Sequence, residues 1–102
     1  MTAKAYWIAN NTIRDMDGLY RYRAANREVI TRYGAKFLAM QGKQDVVEGT
    51  ARPNWTLVEF PSFEAAVKCY HDPAYQQAAE IRHSVAEGLQ SIVEGYDGPQ
   101  DF

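Results

Sequence analysis

Residues 55–82 read WTLVEFPSFEAAVKCYHDPAYQQAAEIR, and the punctuation inside this stretch decides the fold. Residues 55–60 are aromatic, β-branched and aliphatic around a single Glu59, the composition of a strand, and Pro61 stops it because proline has no donor for the ladder. Ser62 is placed to cap a helix, with Glu64 in the first turn where the helix dipole favours a negative charge. Phe63, Ala66, Val67 and Tyr70 then recur at i, i+3, i+4 and i+7, one face of that helix. The pattern breaks at His71-Asp72. Asp72 as cap and Pro73 at the first helical position open a further helix, whose inward stripe would be Tyr75, Ala78, Ala79, Arg82 and Ala86.

Working outward, residues 4–12 (KAYWIANNT) form a strand with apolar groups at both odd and even positions, which calls for cover on both faces. Asp15 or Asp17 caps a helix running to about Tyr33, with Gly34 suited to the left-handed turn behind it. Its stripe is Leu19, Tyr22, Asn26, Val29 and Tyr33, flanked by Ala25 and Ile30, while Gly18 weakens the first turn. Residues 36–41 (KFLAMQ) read as a second strand, followed by a loop or hairpin arm between Gly42 and Gly49 that carries Val46 and Val47. Gly88 is expected to end the last helix and residues 89–95 to form the final strand. The chain is thus one domain over residues 1–96, with 97–102 as a loosely held tail.

The element order is β-α-β-β-α-(α)-β. Two split β-α-β units with right-handed crossovers give an antiparallel sheet of order 4-1-3-2 with the helices on one face, a ferredoxin-like α+β sandwich. Whichever alternation points away from the helices, apolar residues cover that face, and an exposed sheet of that size is a liability in a monomer. A homodimer with the open sheet faces packed together is therefore expected, an isologous arrangement.

Composition narrows the function. At 102 residues, 46% hydrophobic and 24% charged, the chain suits one globular core. A net charge of -2 offers no basic footprint for nucleic acid. There is no apolar run of transmembrane length, and the amino end reads as a strand, not an export signal. Cys69 is the single cysteine; at helical spacing, without a partner histidine, it reads as an inert thiol. A lone thiol also fits a cytoplasmic protein, since small secreted domains rely on several disulfides.

Arg82 falls on an inward stripe. An unpaired buried charge costs several kcal/mol, on the order of a lost buried ion pair, so a carboxylate or a ligand anion should lie near it. Glu59 and Asp72 are the in-chain partners the sequence offers. Tyr22 and Asn26, four apart on one helix face, set a hydroxyl beside an amide, either to orient a ligand or to satisfy buried groups. His71 next to Asp72 could act as a base, or could simply sit on the free carbonyls of a helix end. Neither His71 nor His83 forms a ligating i, i+4 pair, so no metal is expected. With no phosphate loop, nucleophile elbow or dinucleotide fingerprint, no cofactor is expected either.

The segments KAYWIAN, YRYRAAN, RYGAKFLAMQGK, VEFPSFEAAVKCYHDPAYQQAAEIR and SIVEGY together resemble the domain-of-unknown-function 1330 family of dimeric α/β-barrel proteins. The resemblance covers nearly the whole chain and implies a ferredoxin-like subunit that pairs into a barrel, with no established reaction. One departure, Met-Asp-Gly at residues 16–18, replaces a proline-containing helix start. Two readings of different class follow. In the first, a small organic molecule, anionic or aromatic, is held between sheet and helices by Trp7, Tyr22, Asn26, Glu59, Tyr70 and Arg82. In the second, a cofactor-independent enzyme of oxygenase or isomerase type uses Arg82 or Asn26 to steady an oxyanion and His71 or Glu59 to move a proton. The sequence names neither substrate nor reaction.

Overall fold

Each helix begins on the side chain that its sequence marks for the purpose. In the computed structural model, which describes residues 3–101, Asp15 accepts from the Asp17 amide at 3.0 Å, Ser62 from Ala65 at 3.0 Å, and Asp72 from Ala74 at 2.8 Å. These caps satisfy amides that would otherwise lack partners in the first turn. The elements run β1 (Ala5–Ile13), α1 (Met16–Arg32), β2 (Lys36–Met40), β3 (Asn54–Phe60), α2 (Phe63–His71), α3 (Pro73–Val85) and β4 (Ala86–Glu94). The sheet is antiparallel in the order β2-β3-β1-β4, which is the expected 4-1-3-2 read from the other edge.

Alternation divides the sheet. Ala5, Trp7, Ala9 and Asn11 are buried on one side of β1, and the register Trp7↔Val58 and Ala5↔Phe60 puts the buried residues of β3 on that side too. Trp7 is the hinge of the packing. Its indole donates to the Ala66 carbonyl of α2 at 3.0 Å, while its ring lies 4.8 Å from both Phe60 and Tyr75. Ala66, Cys69, Tyr75 and Ala79 complete this core at 0% exposure. Small residues at 66, 69 and 79 let the helices approach the sheet closely enough for the large rings to interdigitate.

Four local expectations are corrected. α2 turns Ala66 and Cys69 fully inward and leaves Phe63 exposed, because the Trp7 bond fixes the helix at Ala66. Ala25 is exposed on α1. Gly88 does not end α3; the helix stops at Val85, where the Arg14 amide of the neighbouring segment takes the Val85 carbonyl at 2.7 Å. Gly88 instead sits inside β4 with φ +150°, where a Cβ would lie 2.1 Å from the Asn10 carbonyl oxygen. Gly18 does more than loosen a helix start: it is buried, and a Cβ there would come within 2.3 Å of Val85 Cγ1. That glycine is the notch in which the end of α3 rests.

The loop between β2 and β3 is tied down by Asn10, whose amide donates to the Arg52 and Asn54 carbonyls at 3.0 Å and accepts from the Arg52 amide. Val46 and Val47 on this loop are exposed. The opposite face of the sheet carries Tyr6, Ile8, Trp55, Leu57, Leu89 and Val93 by register. Among the described residues no helix is long and apolar enough to cross a membrane. Near the end of the chain, the Tyr96 hydroxyl donates to the Pro99 carbonyl at 2.5 Å.

The Gly18 notch sets two effects against each other. Helix propensity favours alanine by about 1 kcal/mol, whereas overpacking costs about 1–3 kcal/mol. Gly18→Ala is therefore expected to lower the urea midpoint of the parent chain but to raise it in a Val85→Ala background. A rise in both backgrounds would show that the notch is not needed.

Candidate functional site

Between α1 and the sheet the packing does not close. The inward face of β1 supplies Trp7, Ala9 and Asn11 as one wall, and β3 continues it with Thr56 and Val58. A register shift in β2 between Phe37 and Ala39 turns both Phe37 and Met40 to the same side, making the outer edge. Leu19, Tyr22, Asn26 and Ile30 of α1 form the roof, and Arg82 enters from the last turn of α3. The inner chamber encloses about 60 Å³; an adjoining vestibule of about 150 Å³ shares Arg23, Asn26, Ile30, Phe37 and Met40 with it and adds Arg27.

Charge is distributed unevenly around this space. Arg82, Arg23 and Arg27 line it, and among the described residues no aspartate or glutamate does, although the chain as a whole is acidic. Arg82 is 9% exposed. Among the described residues its guanidinium has no carboxylate within salt-bridge distance. Its carbon lies 5.8 Å from the Tyr22 ring centroid and its Nη2 3.3 Å from His83 Nε2. Arg82 Nε is buried with no hydrogen-bond partner among the described residues, and so is Asn11 Oδ1 on the facing strand. Orphaned buried polar atoms are uncommon in native folds, and both residues that carry them here belong to the cleft lining.

Two tyrosines stand beside Arg82. The Tyr22 and Tyr75 hydroxyls share a hydrogen bond of 2.6 Å. Burial, reinforced by the Tyr75 phenol, pushes the Tyr22 hydroxyl well above the ordinary tyrosine range. At the mouth, Arg23 donates to the Gln41 side-chain oxygen, and the Gln41 amide donates to Thr56 Oγ1 at 2.9 Å. Gln41 holds a left-handed φ of 45°, uncommon for a residue other than glycine, and its backbone amide is fixed to the Trp55 carbonyl at 2.8 Å.

Four of the residues singled out by sequence therefore meet: Trp7, Tyr22, Asn26 and Arg82. Three do not. Glu59 lies on the other side of the sheet, paired across β1 with Tyr6, and its carboxylate meets Lys4 at 3.5 Å. Tyr70 stands behind Trp7 and Tyr75, with ring centroids at 6.0 and 5.5 Å, outside the cleft lining. His71 is exposed at the end of α2, its ring edge-on to Tyr70. Asp72, the other in-chain partner considered for Arg82, is engaged instead as the α3 cap and as acceptor of the Tyr33 hydroxyl at 2.8 Å. The sequence reading missed Asn11, Arg23 and Gln41. The first had a visible signal: a polar residue two beyond Ala9 shares the buried face of β1. Among the described residues no three His, Cys, Asp or Glu side chains converge as metal ligands.

The fold and this cleft define a small ferredoxin-like α+β protein with an arginine-lined space between sheet and helices. The chain belongs to a family described as a domain of unknown function, DUF1330, whose profile matches residues 4–96. Among curated proteins none matches the sequence. Solved structures share the fold. RPA0582, a protein of unknown function from Rhodopseudomonas palustris, superposes with a TM-score of 0.76 at 16% identity, covering 96% of this chain and 86% of that one. SnoaB, a cofactor-independent oxygenase from Streptomyces nogalater, gives 0.66 at 7% identity over 98% and 100%. A conserved protein from Methanosarcina mazei Go1 gives 0.54 at 8% over 95% and 95%. At these identities the likeness is one of fold.

Cys69, on the buried side of α2, provides a check on the core beside the cleft. Burial pushes its thiol up to about 12 from the ordinary 9.0. The unfolded thiol loses its proton first as pH rises, so folding stability is intact below about pH 9 and falls from there toward about pH 12. Urea midpoints measured from pH 8 to 11 are expected to show this decline, with a shallower slope in Cys69→Ala. Equal slopes would mean that the thiol is not buried as described.

Proposed function

We propose that this protein binds a small organic anion, with an apolar and flat body, in the cleft between sheet and helices. The observation that carries the reading is the lining itself: Arg82, Arg23 and Arg27 without a carboxylate, around apolar and aromatic walls. Bringing Arg82 out of water costs several kcal/mol, on the order of the desolvation of any buried ion, and nothing in the cleft lining compensates it with opposite charge. A ligand carboxylate would. Such a site has the general form of a small-molecule pocket, mostly apolar with a few convergent polar groups.

The working unit in this reading is a cytoplasmic homodimer. The outer sheet face presents Trp55 at 38%, Leu89 at 58% and Val93 at 43% exposure. The subunit is a slab 17 Å thick with a radius of gyration of 14.3 Å, above the roughly 13 Å usual for a compact chain of this length. A second copy laid on that face would cover the apolar residues of both. Glu59 and Lys4 then belong to the dimer seam and not to the ligand site.

A cofactor-independent oxygenase or isomerase is the alternative use of the same cleft. Arg82 and Asn26 could steady a developing oxyanion there. The proton-moving groups that reading relied on, His71 and Glu59, lie outside the cleft lining, so binding is the better supported reading.

A thermal-shift screen of small organic acids tests it. At a hundredfold excess over Kd a ligand adds about 2.7 kcal/mol, several degrees in a domain of this size. Stabilisation by at least one acid is expected, and its loss in Arg82→Ala. A shift unchanged in that variant, or none with any acid, would contradict the proposal. Light scattering on the parent protein should give twice the 11.6 kDa chain mass; a single-chain mass at micromolar concentration would remove the dimer.

A further inference from the structure

Directly after β2 the chain turns left-handed at Gln41, φ 45°, although Gly42 stands one position further on. Among the described residues Gln41 is the only non-glycine with a positive φ. Glycine or asparagine would hold such a turn with less strain, so the backbone alone does not account for a glutamine here. Its side chain does. The carboxamide spans the opening between α1 and the sheet: its oxygen accepts from Arg23 Nη2, its nitrogen donates to Thr56 Oγ1 at 2.9 Å, and the backbone amide behind it is fixed to the Trp55 carbonyl at 2.8 Å.

The acceptor offered to Arg23 is neutral. A glutamate of the same length would pair with the guanidinium, whereas the amide holds it and leaves its charge uncancelled. Among the described residues Arg23 has no carboxylate within salt-bridge distance, and its further contact is the Tyr20 ring, 5.6 Å from the guanidinium carbon. Arg23 is half-buried and lines both the inner chamber and the vestibule, while Arg82 lines the first and Arg27 the second. An arginine fixed in advance loses less rotamer freedom when an anion arrives.

We infer that Gln41 is a positioning residue: it holds the still-charged Arg23 guanidinium where the chamber opens into the vestibule, and Arg23 so held contacts the carboxylate of the bound anion. This rests on the anion-binding reading above and assigns Arg23 and Gln41 their parts in that site.

The test is isothermal calorimetry with benzoate on the parent protein, Arg23→Met, Gln41→Asn, Gln41→Glu and the double variant Arg23→Met/Gln41→Asn. Gln41→Asn keeps the amide and suits the turn but is one methylene too short to span the opening, so affinity should fall about fivefold, the worth of one hydrogen bond. Gln41→Glu keeps the reach but gives Arg23 a carboxylate, so affinity should fall to that of Arg23→Met, about tenfold below the parent. With Arg23→Met in place, Gln41→Asn should bring no further loss, because Gln41 acts only through Arg23. The Gln41→Glu comparison stands even if Gln41→Asn does not fold. Gln41→Asn binding like the parent, or losing the same factor in the Arg23→Met background, would overturn the positioning role. So would Gln41→Glu binding as tightly as the parent, and in each of these cases the parent's own affinity leaves anion binding intact. Benzoate failing to bind the parent would overturn both.

Discussion

A guanidinium held below one-tenth exposure, with no carboxylate in reach among the described residues, constrains everything around it. Desolvation on this scale unfolds marginal proteins unless something repays it, and here the repayment is partial and distributed. Arg82 sits in the last turn of α3, where the helix dipole favours a cation. The Tyr22 ring faces it at 5.8 Å, the Tyr75 phenol hydrogen-bonds to it, and burial keeps the Tyr22 hydroxyl well above the ordinary tyrosine range. Moving α3 by even one side chain's width would undo this, which gives the Gly18 notch under Val85 its meaning: it fixes the helix end that carries the charge.

The sheet separates two tasks. Its inner face holds the Trp7 core and the arginine-lined cleft; its outer face carries apolar residues and the Lys4–Glu59 pair. One strand serves both, because β1 is central and alternates Ala5, Trp7, Ala9 and Asn11 inward against Tyr6, Ile8 and Asn10 outward. Asn10 and Asn11 are adjacent yet do opposite things. Asn10 spends its amide on the loop before β3, whereas the Asn11 oxygen is buried beside Gly88 with no partner among the described residues.

Much of the architecture was legible because it rests on local rules. Asp15, Ser62 and Asp72-Pro73 start helices in any context, and the α3 stripe from Tyr75 to Arg82 follows from spacing alone. The misplaced residues share a different cause. Residues 55–60 are apolar at both parities, so hydropathy could not say whether Val58 or Glu59 faced inward; pairing with Trp7, anchored on Ala66, decides it. Gly88 looked like a helix stop, but its need is tertiary, a close approach to the Asn10 carbonyl across the sheet. Arg23 and Gln41 meet only because the β2 shift folds that edge toward α1, which no short-range pattern encodes.

The central claim is that Arg82 is kept for an external anion at a cost to the stability of the fold. Denaturant unfolding of ligand-free Arg82→Met measures this directly, since methionine fills the stem's volume without the charge. If the account is right, the variant is as stable as the parent or more stable, as when an uncompensated charge is exchanged for an apolar residue. A loss of about 3 kcal/mol or more, the usual result of breaking a buried ion pair, would mean that Arg82 is satisfied within the fold, and the account would be wrong.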